Sequence, residues 1–156
     1  MHTEPGRAYR PTVNVSAAQL GLLLLLILLP ATTSLAQDFT YSIENDEVTI
    51  TGYTGPGGNV EIPATIEGLP VTAIGQAAFS NISQLLGVTI PDGVIDIGEQ
   101  AFSFSTSMVS VSIGGGVTNI GTSAFNSCTA LSSINIPGGV PMIGDATFSR
   151  CSSLPS

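Results

Sequence analysis

Apolar residues recur at fixed positions of a 23-residue unit in the second half of the chain. Each copy opens on the pattern V-x-x-I-G, and the copies start at Val71, Val94, Val117 and Val140. Numbered from that valine, the apolar positions are 1, 4, 9, 15, 18 and 20. A period in the twenties is typical of a solenoid, whose coils bury their apolar side chains against one another. The predicted coils are 71–93, 94–116, 117–139 and a partial coil at 140–156.

One short strand per coil is predicted at positions 18 to 20. Val88, Thr89 and Ile90 alternate apolar, polar and apolar, as a half-buried strand does, and the next two coils repeat this alternation. Stacked coils then form a parallel sheet. The stretch from Gly75 to Phe79 is too short for a full helix, so a single helical or 3-10 turn is expected there.

The ninth position of each coil is always phenylalanine, and stacking predicts one ladder of rings through the core. These residues are Phe79, Phe102, Phe125 and Phe148. Glycine also recurs at two positions of the repeat, 5 and 23. We expect positive φ at the corner glycines Gly93, Gly116 and Gly139, and a second tight corner at Gly75 and its equivalents.

Residues 37–70 do not match the repeat and are predicted to form an N-terminal β cap. Apolar residues alternate from Phe39 to Ile43 and again from Val48 to Ile50, with a polar turn at 44–47 between them. This pattern predicts a hairpin. A further short strand is expected at 60–62, and the whole cap would cover the apolar face of the first coil.

The first 36 residues have the layout of a secretory signal peptide. Arg7 and Arg10 precede the uncharged apolar run from Leu20 to Leu29, and the small residues Ser34 and Ala36 then occupy positions −3 and −1 of a cleavage point between Ala36 and Gln37. The run of ten residues falls short of the roughly 20 that span a bilayer. We therefore expect cleavage, no membrane insertion of the mature chain, and secretion or display at the cell surface.

The remaining chain is strongly acidic. Residues 37–156 carry ten Asp and Glu residues and one base, Arg150, which gives a formal net charge of −9. A surface of this sign repels polyanions, so nucleic acid and anionic membranes are poor partners and we expect no nucleic-acid partner.

Residues for common catalytic chemistry are scarce. The only histidine is His2, in the predicted signal peptide, and the chain has no lysine. Ser-His, Cys-His and Schiff-base arrangements therefore lack a member. Asp92, Asp96 and Glu99 could pair for glycoside hydrolysis or hold calcium, but we favour a solvated surface for them. We expect no enzyme activity, no cofactor and no metal.

The repeat V-x-x-I-G-x-x-A-F-x-x-C-x-x-L-x-x-V-x-I-P resembles the BspA-like leucine-rich repeat, also called the Treponema pallidum type. The resemblance covers 71–156, and the lead-in at 49–75 is similar to the capping segment that precedes such arrays. It implies a β-rich leucine-rich-repeat solenoid in a bacterial surface or protozoan protein. It also implies adhesion to host or matrix proteins, as in some members.

Two cysteines stand one period apart, at Cys128 and Cys151. A disulfide between neighbouring coils requires Cα atoms within about 7 Å. The alternative, which we favour, is a column of small buried residues such as the resemblance implies, because Ile82 and Ser105 hold the same position in the first two coils. Two sulfurs without histidine do not complete a zinc site.

A protein partner is the expected ligand, bound at the outward strand positions. These are Gly87, Thr89, Ser110, Ser112, Ser133 and Asn135. They are small and polar and include no aromatic or arginine anchor, the residue types that usually dominate interface energy. The sequence thus predicts a non-enzymatic binding or adhesion module. The alternative is a structural spacer that displays another part of a larger exported protein.

Overall fold

The computed structural model describes residues 38–155, and their regular structure consists of strands joined by turns. The strands are β1 (Phe39–Glu44), β2 (Glu47–Tyr53), β3 (Gly58–Glu61), β4 (Thr65–Ile66), β5 (Leu69–Ile74), β6 (Leu85–Ile90), β7 (Asp96–Ile97), β8 (Ser110–Ile113), β9 (Asn119–Ile120), β10 (Ser133–Asn135) and β11 (Met142–Ile143). The predicted signal peptide and its cleavage point lie outside the described residues. Within 38–155, no helix combines the length and hydrophobicity needed to cross a membrane.

The strands form two sheets that run along the stack of coils. One, which we call the groove sheet, has the order β10-β8-β6-β3 and is parallel throughout. The other, the back sheet, has the order β1-β2-β5-β7-β9-β11, with β4 paired to β5. Its strands are parallel from β2 onwards, and only the pairs β1/β2 and β4/β5 are antiparallel.

The solenoid prediction is confirmed, and each coil holds one strand more than the sequence suggested. The predicted strand at positions 18 to 20 belongs to the groove sheet. The second strand contains positions 3 and 4, and in coils 2 to 4 it is only two residues long, as in Asp96–Ile97. Two residues cannot show an alternating pattern, so this strand exists because its neighbours in the stack supply hydrogen-bond partners.

The segment between the two strands of each coil is a series of turns rather than a helical or 3-10 turn. Its seventh and eleventh positions have positive φ, for example Ala77 (54°) and Asn81 (62°) in coil 1 and Gln100 (56°) and Phe104 (60°) in coil 2. Left-handed residues interrupt a right-handed helix, at a cost of about 1–2 kcal/mol each for residues other than glycine. Hydrogen bonds to the next coil offset that cost.

The invariant glycine at position 5 is required by close stacking. A Cβ on Gly98 would lie 2.9 Å from the backbone carbon of Gly75 in the coil before, and one on Gly121 would lie 2.7 Å from the nitrogen of Glu99. The expectation of positive φ at Gly93, Gly116 and Gly139 is wrong, because positive-φ glycines occur within 38–155 only at 57, 58 and 68.

The phenylalanine ladder forms the centre of the core. Phe79, Phe102 and Phe125 are fully buried, and consecutive ring centroids from Phe79 to Phe148 are 5.0, 5.2 and 5.6 Å apart with nearly parallel planes. The spacing follows from the 4.7–4.9 Å between paired strands, since each ring moves with its coil. Side chains at positions 1, 4, 15, 18 and 20 of coils 1 and 2 are buried around the ladder.

The N-terminal hairpin cap is also confirmed. β1 and β2 pair with Glu44 opposite Glu47, and Asn45 and Asp46 form the turn in left-handed conformations. β2 extends the back sheet by pairing with β5, so the hairpin lies over coil 1. Tyr53 stacks on Phe79 at 5.4 Å and continues the ring ladder into the cap.

Candidate binding surface

The structure brings all six sequence-predicted surface residues into one groove. The groove has a volume of about 550 Å³ and lies on the outer face of the groove sheet. Strand alternation explains this placement, because residues on either side of a buried Val or Ile point outward. The residues from the sequence prediction that line the groove are Gly87, Thr89, Ser110, Ser112, Ser133 and Asn135.

Strand register arranges the groove residues in two ranks across the sheet. Position 17 supplies the first rank, in which Gly87, Ser110 and Ser133 are paired neighbours. Position 19 supplies the second rank, Thr89, Ser112 and Asn135. The groove therefore offers hydroxyl and amide groups at the spacing of adjacent strands, with little side-chain bulk to hold a partner's backbone away.

Two groove residues were missed from the sequence. Asn59 and Glu61 of β3 extend the two ranks, because β3 pairs in parallel with β6 and places Asn59 beside Gly87 and Glu61 beside Thr89. The shared Ile62-Pro63 element was the available signal, since it aligns these residues with positions 17 and 19. Glu61 is the charged residue of the groove, and Asn59 Oδ1 lies over Gly87, 2.7 Å from where a Cβ would be.

The cysteine column holds neighbouring coils together through hydrogen bonds to the ring ladder's backbone. Cys128 Sγ donates to the carbonyl of Phe102 at 3.1 Å, and Cys151 Sγ donates to that of Phe125 at 3.0 Å. Ser105 makes the same bond, to Phe79, at 2.8 Å. Both thiols are free in this structure.

Burial keeps these thiols protonated. Loss of solvent raises the pKa of Cys128 to about 12, with a smaller contribution from the nearby Cys151. Burial raises the pKa of Cys151 as well. A nucleophilic or metal-binding cysteine needs its thiolate, so this environment favours a structural role for both residues.

Of the three carboxylates considered for chemistry, Asp92 and Asp96 accept hydrogen bonds from the next coil, whereas Glu99 contacts only its neighbour in sequence. Asp92 Oδ1 accepts a hydrogen bond from the backbone of Gly115 at 2.8 Å, and Asp96 accepts one from the Asn119 amide. Glu99 accepts a long one, 3.4 Å, from Gln100. Among residues 38–155, no cluster of three His, Cys, Asp or Glu side chains is arranged to hold a metal ion.

These features define a class of protein, the leucine-rich-repeat solenoid with a hairpin cap at its N-terminal end. A family profile described as "BspA type Leucine rich repeat region (6 copies)" matches residues 58–156. The chain belongs to the BspA-type leucine-rich repeat family. The match begins at residue 58, where β3 joins the groove sheet.

Solved structures support the same assignment. The Treponema pallidum leucine-rich repeat protein is 35% identical with a TM-score of 0.74, and the match covers 76% of this chain and 56% of that one. A leucine-rich repeat protein of Bacteroides capillosus is 35% identical with a TM-score of 0.68, covering 76% and 91%. A leucine rich cell surface protein of Faecalibacterium prausnitzii is 33% identical with a TM-score of 0.61, covering 75% and 40%. No curated protein sequence matches the chain significantly.

Proposed function

We propose that this chain is a non-enzymatic protein-binding or adhesion module, secreted or held at the cell surface, that contacts its partner through the groove. The leucine-rich repeat is a protein-interaction fold. One observation carries the proposal: eight outward residues of four parallel strands form a single open groove of about 550 Å³. These side chains are not needed for the core, so the groove can vary without loss of folding.

The chemistry of the groove favours a polypeptide partner of neutral or basic character. Hydroxyl and amide groups in two ranks can hydrogen-bond to a peptide backbone, and Glu61 adds negative charge at one end. The acidic surface of the chain attracts cations over longer distances. Without aromatic or arginine anchors, we expect a weak interaction that several contacts must share. The similarity to a cell surface protein supports the proposed location.

Capture of surface or matrix proteins by immobilised chain tests this proposal. Ser112→Trp places a large side chain in the groove, and Thr122→Trp places the same side chain at an exposed position outside it as a matched control. We expect a partner that is captured by the native chain and by Thr122→Trp and lost with Ser112→Trp. A partner retained equally by both variants would refute the groove as the contact surface.

A structural spacer is the second candidate. It is favoured by the absence of aromatic and arginine side chains from the residues that line the groove. If the chain serves only to extend or display another part of a protein, Ser112→Trp and Thr122→Trp will leave every captured partner unchanged. The chain spans 56% and 40% of the T. pallidum and F. prausnitzii structures.

A further inference from the structure

The two sheets end at different levels beside the hairpin cap. β2 and β3 form the layer next to coil 1, because β2 pairs with β5 and β3 pairs with β6. β1 then pairs with the far side of β2, whereas no strand within residues 38–155 pairs with the far side of β3. At this end the groove sheet is therefore one strand shorter than the back sheet.

A depression of about 220 Å³, which we call the notch, lies between β1 and the open edge of β3. Phe39 of β1, Tyr53 of β2 and Val60 of β3 supply its apolar lining, and the ring centroids of Phe39 and Tyr53 are 5.3 Å apart. Asp38 and Glu61 also line it and bring two carboxylates to the same place. The notch thus combines an apolar surface with negative charge.

The backbone of β3 offers hydrogen-bonding groups to the notch. The N–H of Ile62 donates to the Thr89 carbonyl of β6 at 3.0 Å. Backbone groups of successive strand residues point to opposite edges, so Val60 also faces β6, while Asn59 and Glu61 direct their N–H and C=O groups toward the notch. An extended chain placed there would add a fifth strand to the four of the groove sheet.

Strand alternation determines which side chains such an added chain needs. Side chains on its inner face would pack beside Val60 on the apolar lining of the notch, and those on its outer face would continue the ranks to which Asn59 and Glu61 belong. The carboxylates of Asp38 and Glu61 favour basic residues on the added chain. A second copy of this chain is repelled, because residues 37–156 carry a formal net charge of −9.

We propose that the notch binds an extended segment of another polypeptide, in which basic and apolar residues alternate, as an added strand on the open edge of β3. Hydrogen bonds to the backbone of Asn59 and Glu61 supply affinity, and the alternating side chains supply specificity. The notch adjoins the groove, since Asn59, Val60 and Glu61 line both. Binding at the notch does not rest on the proposed function, because the groove residues of β8 and β10 take no part in it.

A capped peptide, Ac-Lys-Val-Lys-Val-Lys-NH2, serves as the probe. It is added to the isotope-labelled full chain while amide hydrogen exchange is followed by NMR. We expect exchange at Asn59 and Glu61 to slow about tenfold at saturation, and exchange at Val60, whose N–H faces β6, to stay the same. The control peptide Ac-Glu-Val-Glu-Val-Glu-NH2 should slow neither amide. If the Lys-Val peptide leaves both amides unchanged, or if they are already protected without it, the notch is not a free strand site and the proposal fails.

Three variants separate the notch from the groove and from the overall charge. Glu61→Gln should weaken peptide binding about threefold, as expected for loss of an exposed ion pair. Glu44→Gln removes the same charge at the far, exposed end of β1 and should have little effect. Ser112→Trp fills the groove and should leave peptide binding unchanged. Equal weakening by the two glutamine variants would mean that only net charge attracts the peptide, and loss with Ser112→Trp would place the peptide in the groove. Either result overturns the proposal.

Discussion

Glycine at position 5 shows how the repeat uses single residues to set the distance between coils. The backbone of one coil passes so near the next that a methyl group does not fit at Gly98 or Gly121. The glycine is therefore kept for its size, although it follows a strand and resembles a corner in the sequence. If backbone conformation decided where glycine occurs, glycine would be at position 7, where φ is positive. That position holds Ala, Gln or Ser instead.

Gly121→Ala should destabilise the chain by about 1–3 kcal/mol, because its Cβ would meet Glu99 backbone atoms at 2.7 Å. Gly138→Ala is the matched control, since nothing lies within 4 Å of its Cβ and its φ is not positive. The control should be neutral or slightly stabilising. Urea unfolding measures both free energies, and equal losses for the two variants would contradict the stacking argument.

Cys128 should be unreactive in the folded chain. With a pKa raised to about 12 by burial, its thiol stays protonated at pH 8 and should react with a disulfide reagent only after urea unfolding. The free energy of unfolding should also fall as the pH rises from about 9 to 12, because the unfolded thiol ionises first. Cys128→Ser should keep the hydrogen bond, as Ser105 does, and reduce this slope. Rapid labelling of both thiols at pH 8 without denaturant would refute this picture.

The turn segment is the element that departs most from what its sequence suggests. Positions 7 and 11 adopt positive φ with residues as unlike as Ala77, Gln100 and Phe104. Local propensity gives no signal at these places, since their conformation is held by hydrogen bonds from their N–H groups to the next coil, such as Phe104 N–H to the Asn126 carbonyl at 2.9 Å. The periodicity of the sequence locates the turn segment, but its backbone conformation becomes visible only in the stacked structure.

Phe104→Asn should stabilise the turn. A bulky residue at φ 60° is strained, and Phe104 is 47% exposed, so its replacement loses only about half of the burial of a core phenylalanine. Asn tolerates this conformation and holds the same position in coil 1, at Asn81. We expect a gain of up to about 1 kcal/mol in urea unfolding, with Phe104→Val as the control that should lose stability. A loss with Asn as large as with Val would show that the exposed ring contributes contacts that outweigh the strain.

The contribution of each ladder ring to the free energy of unfolding should depend on its place in the stack. Phe125→Ala removes a fully buried ring between two others and should cost about 3–5 kcal/mol. Phe148→Ala removes a partly buried ring with a neighbour on one side, so we expect less than half that cost. Thermal and urea unfolding of the two variants compare these values directly. Similar costs would mean that the fourth ring is covered in solution.

At the scale of the whole molecule, the 23-residue period was sufficient to predict the solenoid and the ring ladder, and it identified six residues that lie on the outer face of the groove sheet. The hairpin cap was predicted from the alternation of apolar residues between Phe39 and Ile50. The period could not reveal the two-residue strands of the back sheet, because their pairing depends on neighbours 23 residues away. Asn59 and Glu61 were missed although Ile62-Pro63 aligns them with positions 17 and 19, because β3 precedes the recognisable coils and its pairing with β6 was not apparent from the sequence. What the sequence lacked in each case was the register between coils.

That register can be measured by amide hydrogen exchange across the four coils. The hydrogen bonds between successive turn segments predict slow exchange at Phe79, Phe102 and Phe125, whose N–H groups bond to the next coil at 2.7–3.0 Å. Fast exchange at Phe102 and Phe125, or protection that does not recur every 23 residues, would contradict the stacked-coil account.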